Sequence, residues 1–298
     1  MLPTARAVRV LVALGCLLLA GTARADAPDQ AAIDALRARY AAVQGELAQN
    51  VFGRPLHLDS EQAGAEARVD IHAVLAHPFT RLNAALDAPE HWCDILILHL
   101  NIKQCRSSGG AGDSKLTVYI GSKHWQEVES AQRIVFDFRV RADTADYLHL
   151  ELHADEGPMG VRNFRIELEA IPLAAGQSFI HMSYAYTSGL TARLAMRGYL
   201  ATVGSGKVGF TVVGQTTDGK PVYIGDVRGV IERNTMRYYL AIDVYVDSLD
   251  AAPTPAQLDV RLRQWFAGTE VYARQLHEID EAEYLDMKRR EIERQRGP

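Results

Sequence analysis

Beyond its first two dozen residues, this chain of 298 residues lacks any apolar run near the roughly 20 residues that span a bilayer, so no stable membrane insertion is expected there. An excess of basic charge is also missing. Its 32 Lys and Arg stand against 37 Asp and Glu with no concentrated basic patch, which argues against nucleic acid as a partner. Cysteine is scarce, three in all, which excludes a disulfide-dense scaffold. No G-x-S-x-G elbow of a serine hydrolase occurs, and no H-E-x-x-H zinc helix. Residues 204–207 read GSGK, but Ala201 stands where a phosphate loop needs glycine and Val208 where it needs a hydroxyl. No cofactor, metal ligand or catalytic residue is therefore assigned from sequence.

What is present begins at the N-terminus. Arg6 and Arg9 precede an apolar run from Val10 to Ala20, and Ala23, Arg24 and Ala25 supply a small-residue cleavage site. A signal peptide over residues 1–25 is expected, with a periplasmic or secreted product. A lipoprotein anchored at Cys16 is the alternative; Leu17 to Leu19 continue the apolar run past that cysteine, and Ala13, Leu14 and Gly15 fit a lipobox poorly. Cleavage would remove three arginines and no acids, taking the formal charge from -5 to about -8. Cys93 and Cys105 would remain, and in an oxidising compartment they are expected to form one disulfide, two buried free thiols being the alternative.

Periodicity organises the rest. Ile33, Leu36, Tyr40, Val43 and Leu47 recur at steps of three and four, which predicts an amphipathic helix within residues 26–52 whose stripe docks on the chain's own domain, pairing with a partner protein being the alternative. From Arg68 the period becomes two: Val69, Ile71 and Ala73 predict a strand, and Pro78 and Pro89 then suit the first turns of two short helices. Six half-apolar strands follow, carried by Leu98 to Ile102, Leu116 to Ile120, Ile134 to Val140, Leu148 to Leu152, Phe164 to Leu168 and Ile180 to Tyr186. One wet face on each argues for a curved antiparallel sheet of about seven strands.

Such a sheet needs a helical cover. Residues 190–203 and 228–249 are the candidates. The second also alternates with period two, from Met236 through Tyr238, Leu240, Ile242 and Val244 to Val246, so a strand is its rival; its length decides for a helix. Thr254, Pro255 and Gln257 start another helix, running past Trp265, Phe266 and Tyr272. The mixed charge of residues 278–296 predicts a solvated helix.

Two constellations invite chemistry. His149, Glu151 and His153 share one face of a strand, but Leu148, Leu150 and Leu152 occupy the other, which turns the row to solvent with no fourth ligand in view. Trp92, Trp125, Tyr184, Tyr186, Tyr238 and Tyr239 would bind the body of an apolar molecule, with Glu232, Arg233 and Arg237 at its polar end. The competing reading makes these aromatics core and pairs the arginines with surface acids.

The order of elements, with the segment LAHPFTRLNAALDAPEHW leading into the strands, resembles the START-like helix-grip (SRPBCC-type) fold of lipid-transfer and polyketide-cyclase proteins over about residues 53–250. This resemblance implies an α+β domain whose sheet grips a long helix and leaves a cavity for a lipid or other hydrophobic molecule. An N-terminal helix, an insertion at residues 190–225 and a helical extension over residues 251–298 depart from it. Three functions stay open: a carrier or sensor of a hydrophobic ligand, a cyclase- or hydrolase-type enzyme using Tyr184, His181 or Glu232 as acid or base, and an envelope-protein partner docking on the stripe from Ile33 to Leu47 or on the terminal helices.

Overall fold

The computed structural model describes residues 27–110, 113–202, 204, 206–250 and 255–296. The signal-peptide segment and Thr254 lie outside the described residues. Helix α1 (Ala27–Ala48) leads into strands β1 (Leu56–Ala63) and β2 (Glu66–Leu75), then into helices α2 (Phe79–Leu86) and α3 (Pro89–Leu96). Six strands follow: β3 (Ile102–Ser108), β4 (Ser114–Ile120), β5 (Gln132–Asp143), β6 (Leu148–Glu156), β7 (Val161–Pro172) and β8 (Ser178–Ser188). All eight form one antiparallel sheet in the order β1-β2-β8-β7-β6-β5-β4-β3. Consecutive strands pair as hairpins except where the chain crosses through α2 and α3 to start again at the far edge.

Against about seven expected strands the sheet has eight: β3 and β1 lie outside the expected set, β1 because it carries too few apolar residues for its alternation to stand out. Only Leu56, Leu58 and Ser60 turn inward there. The expected strand from Leu98 to Ile102 is corrected: backbone bonds from Leu98 to Ile95, His99 to Leu96 and Ile102 to His99 make this a turn out of α3. Leu98, His99 and Leu100 are all buried, so the alternation seen in sequence was not a wet face against a dry one.

Helix α4 (Leu190–Ala201) and a hairpin of β9 (Val212–Gln215) and β10 (Pro221–Tyr223) fill the insertion before α5 (Asp226–Asp247). Helix α5 is the predicted cover. It lies across the inner face against β1, β2 and β8, burying residues on every side from Ile231 to Val246, as a helix between sheet and outer helices must. The loop ahead of it crosses at close range: a side chain at Gly229 would meet the Ile224 carbonyl at 2.9 Å and the Gly209 nitrogen at 3.1 Å. Helices α6 (Pro255–Glu270), α7 (Ala273–Leu276) and α8 (Glu281–Arg296) close the outside. Leu262, Trp265, Tyr284, Leu285 and Ile292 belong to the same apolar core as the sheet and α5.

Helix α1 docks on its own domain as its stripe predicts, whereas the C-terminal tail departs from expectation. The stripe of α1 is not open to a partner: Ile33, Leu36 and Leu47 pack with Tyr147, Ile171 and Phe179 on the outer face of the protein's own sheet. Strand β8 therefore has both faces covered, α5 inside and α1 outside, where Tyr40 meets Phe179 with ring centroids 5.0 Å apart. The tail is not a solvated helix either, since α8 buries Tyr284, Leu285, Met287, Lys288, Glu291 and Ile292. Its charged residues dominate the sequence, yet the few apolar ones fall on one side and are enough to dock it.

A candidate ligand cavity between the sheet and helix α5

Even-numbered residues of β8 point inward, which brings Tyr184 and Tyr186 toward α5 and sends His181 to the opposite face. Tyr184 stacks on Tyr238 of α5 with centroids 5.7 Å apart and meets Phe164 of β7 edge-on at 5.1 Å. A bulge between Arg162 and Arg165 bends β7 where it pairs with β8, with Asn163 at a φ of 51°. Beside that bend lies a cavity of about 240 Å³, walled by Tyr184, Tyr186, Tyr238, Phe164, Val161 and Val230. Its polar end is formed by His99, Asn101, Lys123, Arg233, Arg237 and Glu278.

The electrostatics of the two ends differ. Burial raises the phenol of Tyr184 well above its ordinary value and that of Tyr186 to about 12, so both stay protonated near neutrality and offer donors, not bases. At the other end Glu278 is shared. It accepts from Lys123 at 2.5 Å, from Arg237 at 3.1 Å, and from Lys207. Burial, with Lys123, Arg233 and Arg237 close by, pulls the Lys207 ammonium down to about 7.

His99 belongs to the polar end. Its ring stacks on Tyr238 at 4.8 Å, and its Nδ1 accepts the backbone N–H of Asn101 at 3.1 Å. Burial, then Arg237, Lys288, Lys103 and Lys123, hold the imidazole well below its usual pKa. A neutral ring whose Nδ1 accepts carries its proton on Nε2. That Nε2 is buried and has no protein partner among the described residues.

Five of the nine candidates named from sequence, Tyr184, Tyr186, Arg233, Arg237 and Tyr238, come together on this wall. The other four stand elsewhere. Trp92 is buried under α2, its indole donating to the Leu86 carbonyl. Trp125 lies under Arg290 and Arg294 of α8, the Arg290 guanidinium 3.8 Å from its ring centre. Tyr239 faces the other way along α5, beneath Arg54. Glu232 takes hydrogen bonds from Ser60, from the Phe210 backbone and from the backbone and hydroxyl of Thr211, which ties the loop before β9 to α5.

Of Tyr184, His181 and Glu232, the groups considered for acid-base work, only Tyr184 lines the cavity. His181 is under α1, bonded to Asp70 at 2.6 Å and Glu169 at 3.0 Å. His99, Asn101, Lys123, Asn234 and Glu278 also line the cavity and were missed. His99 had been placed on the wet face of a strand that does not exist, and Glu278 in a tail read as solvated. No signal local to either residue marks it; only the docking of α8 brings Glu278 to the cavity.

His149, Glu151 and His153 lie on the outer face, His149 paired with Glu167 at 2.8 Å and Glu151 with Arg139 and Arg141. Among the described residues no group of three or more His, Cys, Asp or Glu could hold a metal ion. No helix among them is long and apolar enough to cross a membrane. The disulfide is formed, Cys93 of α3 to Cys105 of β3, Cα atoms 5.1 Å apart.

No protein-family model matches the chain, and no curated protein does. Solved structures do match. Ara h 8.0201 is 14% identical, covering 65% of this chain and 99% of its own, with a TM-score of 0.35. Human StAR-related lipid transfer protein 5 is 7% identical over 58% of this chain and 90% of its own, at 0.31. An aromatase/cyclase from Streptomyces is 12% identical over 42% of this chain and 69% of its own, at 0.30. Likeness at this level carries no functional weight. The helix-grip architecture rests on the chain's own topology: eight antiparallel strands, two short helices between the second and third, and a long helix held against the inner face.

Proposed function

We propose that this protein binds a hydrophobic small molecule between its sheet and helix α5, as a carrier or sensor and not as a catalyst. The observation that carries this reading is the aromatic-walled cavity of about 240 Å³ with polar groups gathered at one end. Its size lies just under the ~300–1,000 Å³ usual for ligand sites, which favours a guest of one or two rings or a short chain over a two-tailed lipid. Phenols held protonated and a neutral imidazole furnish fixed hydrogen-bond donors, the means by which an apolar site orients its guest.

The test is uptake of an uncharged apolar dye, Nile red, together with mass spectrometry of whatever small molecule co-purifies. Wild type should bind, and Val230→Trp, which fills the space from α5, should not while keeping its circular dichroism. A wild-type protein that takes up no dye and carries no guest would end this reading.

An exported location is part of the proposal. The apolar N-terminal segment with its Ala23 to Ala25 site and the disulfide between Cys93 and Cys105 both support it. N-terminal sequencing of the protein from fractionated cells checks it: a mature chain beginning at Asp26 in the envelope fraction is expected.

A further inference from the structure

The charged and amide groups at the polar end of the cavity are held by the protein itself. Lys123 and Arg237 both donate to Glu278, Arg237 also to the Leu276 carbonyl, and the Arg233 guanidinium to the Val208 carbonyl. The Asn101 amide donates to the Gly121 carbonyl at 2.8 Å, and Asn234 hydrogen-bonds the Tyr184 hydroxyl. His99 is different. The turn out of α3 fixes its ring from two sides, Nδ1 accepting the Asn101 N–H and the face stacking on Tyr238. A ring nitrogen that accepts a backbone N–H carries no proton, so the imidazole is neutral and its hydrogen is on Nε2. That donor is buried, in a residue 2% exposed that lines the cavity, and it has no partner among the described residues. A buried N–H without an acceptor is destabilising, and a guest that supplies the acceptor removes the penalty.

We infer that the ligand is an uncharged carbonyl compound, its oxygen accepting the His99 Nε2–H and its apolar body lying against Tyr184, Tyr186 and Phe164. A carbonyl suits this place better than a hydroxyl, because it accepts without bringing a hydrogen of its own that would need a partner in an apolar hollow. An anion would have to draw Lys123 or Arg237 away from Glu278, whereas a neutral oxygen leaves those bonds intact. This rests on the cavity reading above and adds the chemistry of the ligand's polar end.

The probes 2-acetylnaphthalene, 2-isopropenylnaphthalene and 2-naphthoate share one body and differ in the head: a carbonyl, a hydrocarbon of the same shape, and a carboxylate. In titration calorimetry of the whole protein the ketone is expected to bind about tenfold or more tighter than the alkene, and tighter than the naphthoate. In proton–nitrogen NMR spectra the His99 Nε2–H should move downfield with the ketone and not with the alkene. His99→Phe, which keeps a ring on Tyr238 and removes the donor, should bring the ketone down to the affinity of the alkene. Equal binding of ketone and alkene by wild type overturns the carbonyl and leaves the cavity reading standing, and tighter binding of naphthoate overturns the uncharged ligand. Failure to bind any of the three overturns this inference alone if Nile red is still taken up, and both readings if it is not. Because the decisive comparisons are made on the wild type, they hold even if the variant fails to fold.

Discussion

Lys103 of β3 and Glu291 of α8 form an ion pair, Nζ to Oε1 3.0 Å, with neither side chain exposed. Lys288 takes the other oxygen at 2.8 Å and also donates to the carbonyls of His99 and Ile102. Two buried ammonium groups thus depend on one carboxylate. Glu291→Gln is expected to destabilise the protein by about 3–5 kcal/mol in urea unfolding, because it strands buried charge, whereas Glu293→Gln on the exposed side should change little. Equal stability of the two variants would mean that the cluster does not hold α8.

The disulfide ties α3 to the edge strand β3 across a separation of 12 residues. A loop of this length stabilises by about 3 kcal/mol, so Cys93→Ser with Cys105→Ser, or reduction, should lower Tm by roughly 6–12 °C. Calorimetry with and without reductant reads this directly.

Acid sensitivity should centre on His72, which stacks on His181 at 4.7 Å beneath α1 with neither ring nitrogen bonded among the described residues. Burial, with His181 beside it, lowers His72 from its ordinary 6.5 to about 3. Between those values the folded protein holds fewer protons than the unfolded chain, so stability falls as pH drops, by up to about 1.4 kcal/mol per pH unit. Burial would also lower His181, but its bonds to Asp70 and Glu169 outweigh that and raise it, so its stabilisation is present in acid and lost as pH rises through the folded value. Glu169, which burial would raise, is held at about 2 by His181 and Tyr147, so its own stabilisation fades only as pH falls below its unfolded pKa and on toward that value. His72→Phe should therefore flatten the stability profile between pH 6.5 and 5. An unchanged slope there would exclude His72 as the cause.

Tyr239 is fully buried and its hydroxyl has no hydrogen-bond partner among the described residues. Tyr239→Phe removes an unsatisfied group at constant shape and is expected to be neutral or stabilising by up to about 1 kcal/mol. Since Tyr239 is not on the cavity wall, Nile red uptake should not change. Loss of uptake would place the binding site on the other side of α5.

Much of the architecture was legible along the chain. Alternation at period two in β2, β4, β5, β6, β7 and β8, prolines at α3 and α6, and the length of α5 are local properties, set by the geometry of strands and helices. The sequence by itself also placed aromatic residues at the right spacing on β8 and α5 to share a wall. Tertiary structure alone decided which groups meet. Whether Glu278 faces water or a cavity, whether Glu232 points to a ligand or to a loop, and whether His181 lies inside or under α1 all depend on how far-apart segments stack. A one-residue step reverses the face of a strand, and a third of a turn redirects a helical side chain. Charge and burial in this protein are consequences of those contacts, so no reading of neighbouring residues could have supplied them.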